Sequence, residues 1–236
     1  VCVPESMKPV LRETPWGSMT YLKYKHRLEF GTADYKNLDQ YSREIAMPWS
    51  ASAWDFDSLN FLDNFSLPYH KIASALNTHL KFILEVAERG LPTLMSTGMI
   101  SLEVLDKNVE AFLKVNKDLT LLHCVSTYPA REEDLNLRVI QTLQDRYGLP
   151  VGYSGHEASV SPSVIAATLG AEVVERHFTL DRASWGTDHS ASLEPTGFKM
   201  MTDMIRKIPT VLGDGIKKEI LAEDDIAKKL RYWGEE

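Results

Sequence analysis

The chain has few cysteines, no long apolar run and no excess of positive charge, and each absence excludes a class of protein. Two cysteines in 236 residues, Cys2 and Cys124, are too few and too far apart for a disulfide framework, so we expect a reducing, cytoplasmic compartment. No segment approaches the roughly 18–20 apolar residues that a membrane span needs. A net charge of −7 argues against nucleic-acid or membrane-surface binding, because both favour basic faces. The first residues, VCVPESMKPV, lack the apolar core of a secretory signal.

From Pro48 onward, short apolar segments alternate with helical ones. The strand candidates are PWSASAWD (48–55), YHKIAS (69–74), PTLMSTG (92–98), LTLLHCVS (119–126), PVGYSG (150–155) and AEVVERHF (171–178). Between them, apolar residues recur at the helical spacing of three and four over 78–90, 101–115 and 136–148. Such alternation predicts a parallel sheet, because parallel strands need crossover connections. A charged run over 213–231 predicts a solvated helix and its turn.

Two parallel architectures compete, an open doubly wound sheet and a (β/α)₈ barrel of the TIM type. No G-x-G-x-x-G follows a strand candidate, which weakens a dinucleotide-binding doubly wound sheet. Polar residues also follow nearly every strand candidate, which favours a barrel whose site is assembled from all the loops after its strands. A closed barrel needs eight strands, however. Residues 1–47 read as a loop and a helix with no convincing strand, so we expect residues 48–236 to form an incomplete barrel without its first two strands.

Two histidines, His156 and His177, stand where consecutive strand candidates give way to loops. If the strands are parallel neighbours, both imidazoles open onto the same end of the sheet. Converging imidazoles predict a divalent-metal site with open positions. The alternative is that each is a core histidine hydrogen-bonded to the backbone. Cys124, inside an apolar run, is predicted to be a buried, inert thiol.

The other strand ends carry a lysine and several hydroxyls. In chain order these are Lys71, Ser74, Ser96, Thr97, Ser126, Tyr128 and Ser154, followed by Asp188, His189 and Ser192 in a later loop. One ammonium among hydroxyls and a glycine-bearing loop suits a phosphate or a carboxylate. Alternatively, a lysine on a barrel strand can form a Schiff base with a carbonyl substrate. Any single serine at a strand end can also be a helix cap.

Glu175 and His177 alternate with Arg176, so both should point to one side of the strand and Arg176 to the other. An acid beside a metal-binding histidine can orient substrate hydroxyls or transfer protons. The alternative for Glu175 is a salt bridge with a neighbouring cation.

Taken together, these segments resemble the sialic acid synthase family, which includes N-acetylneuraminate, legionaminate, pseudaminate and spore-coat polysaccharide synthases. The resemblance rests on KIAS, LMSTGM, LLHCVSTYPA, DLNL, VGYSGHE, ERHFTLDR and GTDHSASLEP, which follow that family's order. It implies a TIM-type barrel enzyme that condenses phosphoenolpyruvate with an N-acylated amino sugar. Many members carry Asp at the position of Gly155, and others carry Gly.

The resemblance also implies roles for individual residues. His156 and His177 would bind a divalent metal, Mn²⁺ in the first place, with Mg²⁺ and Co²⁺ as alternatives, and would act with Glu175 in catalysis. The phosphoenolpyruvate ligands would be Lys71, Ser74, Ser96 and Ser154. The sugar contacts would be Tyr128, Glu175 and Asp188, and Ser126 matches a position that is often polar.

The chain departs from the family at both ends. The family's first strands carry a glutamate and a lysine that have no counterpart here, and its C-terminal antifreeze-like domain, which reaches the partner's site in a homodimer, is absent. Because missing strands would leave open sheet edges, we expect the chain alone to be poorly active and poorly stable. Two alternative functions stay open, a Schiff-base aldolase using Lys71 and a non-catalytic sugar-phosphate-binding fragment.

Overall fold

The computed structural model describes residues 3–233, so the expectation for Cys2 lies outside the described residues. The strands are β1 (Leu11–Arg12), β2 (Met19–Thr20), β3 (His70–Ile72), β4 (Thr93–Ser96), β5 (Leu119–Cys124), β6 (Val151–Gly155) and β7 (Val174–Arg176). The helices are α1 (Tyr21–Leu28), α2 (Thr32–Glu44), α3 (Phe56–Leu62), α4 (Leu80–Ala87), α5 (Leu102–Val115), α6 (Val139–Tyr147), α7 (Ser161–Thr168), α8 (Pro195–Leu212) and α9 (Asp224–Leu230). None of these helices is both long enough and apolar enough to cross a membrane.

A five-stranded parallel sheet forms the centre of the molecule, in the order β3-β4-β5-β6-β7. Five of the six predicted strands are therefore confirmed. The strand order follows the chain without reversal, whereas a doubly wound sheet reverses its order at a switch point. This order supports the barrel alternative over the open one.

The sheet is curled. The Nζ atom of Lys71 on β3 lies 3.1 Å from Oε2 of Glu175 on β7, although three strands stand between them. In a flat sheet, four interstrand steps would separate these strands by about 19 Å, well beyond the reach of the two side chains. The curvature is that of part of a TIM-type barrel, with five paired strands in the described chain.

The segment 48–55 is not a strand, and this prediction is wrong. It lies beside the start of β3, where Ser50 Oγ donates to the Tyr69 carbonyl over 2.7 Å. Trp49, Ala51 and Ala53 are at least partly buried while Ser52 is exposed, which explains the strand-like pattern. The segment forms no backbone ladder with β3.

One further expectation needs correction. Residues 1–47 do contain strands, because β1 and β2 pair antiparallel through Leu11–Thr20 and Arg12–Met19. The solvated helix and turn predicted within the charged run 213–231 are confirmed as α9 and the 3₁₀ turn Leu221–Glu223 before it.

The hydrophobic core lies between the outer face of the sheet and the helices. Helix α5 shows why: Leu105, Asn108, Val109 and Phe112 are buried at the helical spacing of three and four, so one face of the helix packs inward. Alternation along β6 then places Ser154 on the opposite, concave face of the sheet from the core residue Tyr153.

Candidate functional site

The polar side chains predicted from strand ends gather at one end of the curled sheet. Parallel pairing places Ser154 of β6 directly beside Glu175 of β7. Cys124 of β5 is in register with the same Ser154. Because all five strands run the same way, their carboxyl ends and following loops form a single edge.

One half of this edge is built on an ion pair. Lys71 Nζ lies 3.2 Å from Oε1 and 3.1 Å from Oε2 of Glu175. Ser154 Oγ donates to the same Oε1 over 2.8 Å. The salt bridge predicted as the alternative for Glu175 is therefore its observed contact, and the cation is Lys71. We call Lys71, Glu175 and Ser154 the ammonium half of the site.

Next to this half, two hydroxyls and a thiol form a chain. Ser74 Oγ lies 3.5 Å from Cys124 Sγ, which lies 3.4 Å from Ser126 Oγ. The backbone N–H of Gly98 donates to Ser74 Oγ over 3.1 Å. A Cβ atom at position 98 would lie 2.9 Å from Ser74 Oγ and still closer to Ser126 Oγ. Only glycine therefore fits here without displacing the hydroxyls.

The hydroxyl of Ser96, at the end of β4, is buried and has no hydrogen-bond partner among the described residues. Because it lacks a partner, this hydroxyl has unused hydrogen-bonding capacity.

The other half of the edge is built on rings, and we call Tyr128, His156, His177 and Asp188 the imidazole half. The ring centroids of His156 and His177 are 5.3 Å apart. Tyr128 OH lies 3.1 Å from His156 Nε2. His177 Nδ1 lies 3.9 Å from Asp188 Oδ2, too far for a hydrogen bond. The structure thus brings the two predicted histidines together.

The tautomer of His156 follows from its surroundings. Its Nδ1 lies 2.9 Å from the Val125 carbonyl, which can only accept a hydrogen bond. In the neutral imidazole the proton therefore resides on Nδ1, and Nε2 keeps its lone pair toward Tyr128 and the open side of the site.

The thiol of Cys124 is buried, as predicted, but it lies inside the site. Burial alone would raise its pKa, yet hydrogen bonds with His156, Ser126 and Ser74 outweigh burial and lower the pKa to about 7. Burial would likewise lower the pKa of His156, but its contacts with Cys124 and the Val125 carbonyl raise it. Thiol and imidazole therefore favour each other's charged forms.

The pKa values of the neighbouring His177 and Tyr128 side chains shift in opposite directions. Burial and the positive charge of His156 lower the pKa of His177, which favours the neutral form that binds metals. Burial, reinforced by the negative charges of Cys124 and Asp188, raises the pKa of Tyr128 to about 12. Tyr128 therefore keeps its proton near neutral pH and remains a donor.

Among the described residues, the candidate ligands for a metal ion in this site are the imidazoles of His156 and His177. Among residues 3–233, no group of three or more His, Cys, Asp and Glu side chains could hold one. The pair nevertheless fits a metal site with open coordination positions. Metal-binding histidines are oriented by a hydrogen bond from their second ring nitrogen. His156 has such a contact, between Nδ1 and the Val125 carbonyl. The metal assignment stays a prediction.

Sequence reasoning missed two buried asparagines that support the site. Asn77 Nδ2 donates to the Ser96 carbonyl over 2.7 Å, and Asn108 Nδ2 donates to the Asn77 carbonyl over 2.8 Å. A polar residue inside the apolar stripe of α5 was the available signal for Asn108. The pair holds the turn that carries Ser96 and Gly98.

Three candidate residues make supporting contacts. Thr97 Oγ1 donates to the Leu122 carbonyl over 3.1 Å. His189 Nδ1 lies 2.7 Å from Thr179 Oγ1. Ser192 Oγ donates to the Asp188 carbonyl over 2.8 Å and so holds the loop that carries this acid.

The curled parallel sheet, with lysine, hydroxyls and imidazoles at its carboxyl edge, defines an α/β protein of the partial TIM-barrel type with a polar site above its strands. More specifically, the chain belongs to the NeuB family, which matches residues 3–217. The family resemblance read from the sequence motifs is thereby confirmed.

Named relatives agree with this assignment. The N-acetylneuraminate-9-phosphate synthase of Mus musculus is 36% identical over 224 residues, covering 94% of this chain and 62% of that protein. The N,N'-diacetyllegionaminic acid synthase of Campylobacter jejuni is 34% identical, covering 94% of this chain and 68% of that protein. The crystal structure of the sialic acid synthetase of Leptospira borgpetersenii in complex with citrate superposes with a TM-score of 0.77 at 32% identity, covering 86% of this chain and 73% of that one. The chain thus spans 62% of the length of the mouse relative.

Proposed function

We propose that this chain carries the condensing site of a sialic-acid-type synthase, an enzyme that joins phosphoenolpyruvate to an N-acylated amino sugar. The observation that carries the proposal is the meeting of the ammonium half and the imidazole half at one sheet edge. The first suits an anion, and the second suits a metal-assisted carbonyl. The names of the mouse and Campylobacter relatives support the same reaction class.

Phosphoenolpyruvate would bind in the ammonium half and the hydroxyl chain. The Lys71 ammonium supplies positive charge, while Ser74, Ser96 and Ser154 supply hydroxyls for the phosphate and carboxylate oxygens. In the structure Glu175 holds both Lys71 and Ser154. An incoming anion would therefore share or replace the Glu175 carboxylate on these two donors.

The sugar would bind in the imidazole half. Tyr128, Glu175 and Asp188 would contact its hydroxyl and N-acyl groups, with Tyr128 as a donor because it keeps its proton. His156 and His177 would hold a divalent metal, Mn²⁺ in the first place. When bound, such a metal supplies Lewis-acid polarisation of a carbonyl oxygen.

The proposed reaction forms a carbon–carbon bond between the enol carbon of phosphoenolpyruvate and the aldehyde carbon of the open-chain sugar. Water adds to the cationic centre left at C2 of the former phosphoenolpyruvate, and the resulting tetrahedral intermediate loses phosphate. The product is a nine-carbon 2-keto acid. Glu175, which contacts Lys71 and Ser154 in the ammonium half, would accept and return the protons of these steps.

The Schiff-base alternative uses Lys71 as a nucleophile. Schiff-base formation needs a free amine, whereas Lys71 is paired with the Glu175 carboxylate at 3.1 Å. This contact shows Lys71 pairing with a carboxylate, which supports the anion-binding role over the Schiff-base role. Borohydride trapping with a keto substrate separates the two: a covalent adduct on Lys71 would overturn the condensing mechanism.

The direct test is phosphate release from phosphoenolpyruvate with N-acetylmannosamine, with Mn²⁺ and after chelation. It should be run on this chain and on the full product of its gene, with His177→Ala as the inactive control. N-acetylmannosamine 6-phosphate and diacetamido-trideoxyhexoses complete the substrate panel. Metal-dependent release that requires a sugar supports the proposal. Sugar-phosphate binding by the full gene product, without release for any sugar in the panel, would favour the non-catalytic alternative.

The homodimer remains a prediction from the family resemblance. Sedimentation of the same two samples tests it, because a species of twice the chain mass is expected for the full gene product.

A further inference from the structure

A second polar cluster lies behind the site, on the opposite face of β6 and β7. Glu157 Oε1 and a guanidinium nitrogen of Arg176 are 2.9 Å apart, and both side chains are 0% exposed. Tyr153 OH donates to Glu157 Oε2 over 2.7 Å, and Tyr153 is also 0% exposed. We call Tyr153, Glu157 and Arg176 the reverse-face cluster.

Arg176 also donates hydrogen bonds to the segment that follows β6. Its Nη1 donates to the Ser159 carbonyl over 2.8 Å and to Ser163 Oγ over 3.0 Å. Its Nη2 donates to the Glu157 carbonyl. One guanidinium on β7 therefore holds the loop after β6 and the first turn of α7.

The cluster is adjacent in sequence to the site residues on both strands. Glu157 directly follows His156, and Arg176 stands between Glu175 and His177. Alternation along an extended chain sends neighbours to opposite faces. The bonds of Tyr153, Glu157 and Arg176 thus fix backbone directly beside residues that point into the site, namely Ser154, His156, Glu175 and His177.

Stability alone does not explain why the Glu157–Arg176 ion pair is fully buried. Two charges lose their hydration on burial, and a well-packed apolar pair of similar volume is often as stable or more stable. A buried pair does, however, fix the relative placement of the two segments that carry it.

Gly155 leaves room for this cluster. A Cβ atom there would lie 2.8 Å from Tyr153 Cε1 and 2.9 Å from both Arg176 Cδ and Glu157 Oε1. The residue between Ser154 and His156 therefore has no side chain that could push the cluster away from the sheet.

We propose that Tyr153, Glu157 and Arg176 are positioning residues that set the separation and orientation of the His156 and His177 imidazoles and of Glu175. The inference rests on the proposed function for what the site does, but not for its geometry. The inference predicts that weakening the cluster changes the orientation and metal affinity of the two imidazoles, although the cluster side chains point to the opposite face of the sheet.

The test compares three variants of the full chain. Tyr153→Phe removes one hydroxyl and keeps the ring, and Glu157→Gln keeps the shape and removes the charge. The matched control is Arg146→Met, which breaks the Arg146–Asp106 pair between α6 and α5 on the outer surface. Thermal unfolding of all three reports the purely structural cost.

Two readouts follow the imidazoles directly. The first is the ring ¹H–¹⁵N correlation spectrum, in which the His156 Nδ1–H bond to Val125 gives a distinct signal. The second is calorimetric Mn²⁺ affinity. We expect Glu157→Gln to lower the affinity by about 10- to 100-fold and Tyr153→Phe by a few-fold, as for other outer contacts of metal-binding histidines. Both should shift or broaden the ring signals, whereas Arg146→Met should change neither readout.

The inference is overturned if the cluster variants lose thermal stability like the control while the ring signals and Mn²⁺ affinity stay unchanged. If Glu157→Gln does not fold, the inference is tested with Tyr153→Phe and Ser163→Ala, using the same ring signals, Mn²⁺ affinity and thermal stability. If the parent chain binds no Mn²⁺, the ring signals decide. Failure of the proposed function is separate, because absent phosphate release leaves the response of the imidazoles measurable.

Discussion

The two halves of the site differ in how their polar groups are partnered. The Lys71 side chain is only 12% exposed, and its ammonium is paired with Glu175. In the ammonium half, the cation therefore already has a carboxylate partner. In the imidazole half, the side chains of His177 and Asp188 are 34% and 55% exposed and lie 3.9 Å apart. An anion would therefore have to compete with a carboxylate for its lysine, whereas a metal ion would have to displace only the neutral contact between Tyr128 OH and His156 Nε2. Four predictions test this contrast.

The largest effect is expected in the imidazole half. His177→Ala leaves a metal ion with one imidazole, so Mn²⁺ affinity should fall by more than about 100-fold, beyond the effect of losing an outer contact. Phosphoenolpyruvate affinity, measured by calorimetry without metal, should change less than about threefold. Equal losses of both ligands would show that the halves are not separate.

The reciprocal change is Lys71→Met, which removes the ammonium and keeps most of the side-chain volume. Loss of two charge-assisted hydrogen bonds should weaken phosphoenolpyruvate binding on the order of 100-fold. Mn²⁺ affinity in the same calorimeter should stay near that of the parent chain. Unchanged phosphoenolpyruvate affinity would remove Lys71 from the anion site.

A smaller effect is expected from Gly98→Ala. The added methyl group must displace the hydroxyls of Ser74 and Ser126, so phosphoenolpyruvate affinity should fall about tenfold while Mn²⁺ affinity is kept. The control is Gly197→Ala, because a Cβ atom there would be at least 3.8 Å from its neighbours. Similar affinities in the two variants would mean that this turn takes no part in anion binding.

The smallest effect on binding is expected from Asn108→Ala. It removes the donor on the Asn77 carbonyl, which should lower the free energy of unfolding by about 1–3 kcal/mol and phosphoenolpyruvate affinity about twofold. Asn116→Ala is the control, since Asn116 Nδ2 makes a comparable 2.8 Å bond to the Leu91 carbonyl away from the site. Denaturant unfolding should show at least as large a loss for Asn116→Ala, because Asn116 Oδ1 also accepts from the Asp118 N–H over 2.9 Å. A large affinity loss in Asn108→Ala alone would place the turn among the main binding elements.

Much of the sheet and the site edge could be predicted from the sequence. Buried parallel strands read as short apolar runs, and the residues at their carboxyl ends must share an edge, which is why Lys71, Ser154 and His156 were found together. The strand prediction for 48–55 was wrong because alternating burial shows which side chains face inward. It does not show whether the backbone pairs with a neighbouring strand.

Long-range partners could not be predicted. The sequence indicated that Arg176 points away from Glu175 and His177, but its pairing with Glu157 depends on how β7 packs against β6. Cys124 was predicted from its apolar neighbours to be inert, and nothing in its own segment indicates that Ser74 and His156 reach its thiol. Such contacts depend on curvature, which strand patterns do not encode.

The ion pair between Lys71 and Glu175 joins residues 104 positions apart in the chain. During synthesis the amino-terminal strands emerge first, so Lys71 is made 104 residues before its carboxylate partner. The pair can close only after β7 has joined the sheet and curled it. A nascent chain that lacks the β7 segment would therefore contain the lysine but not the ion pair.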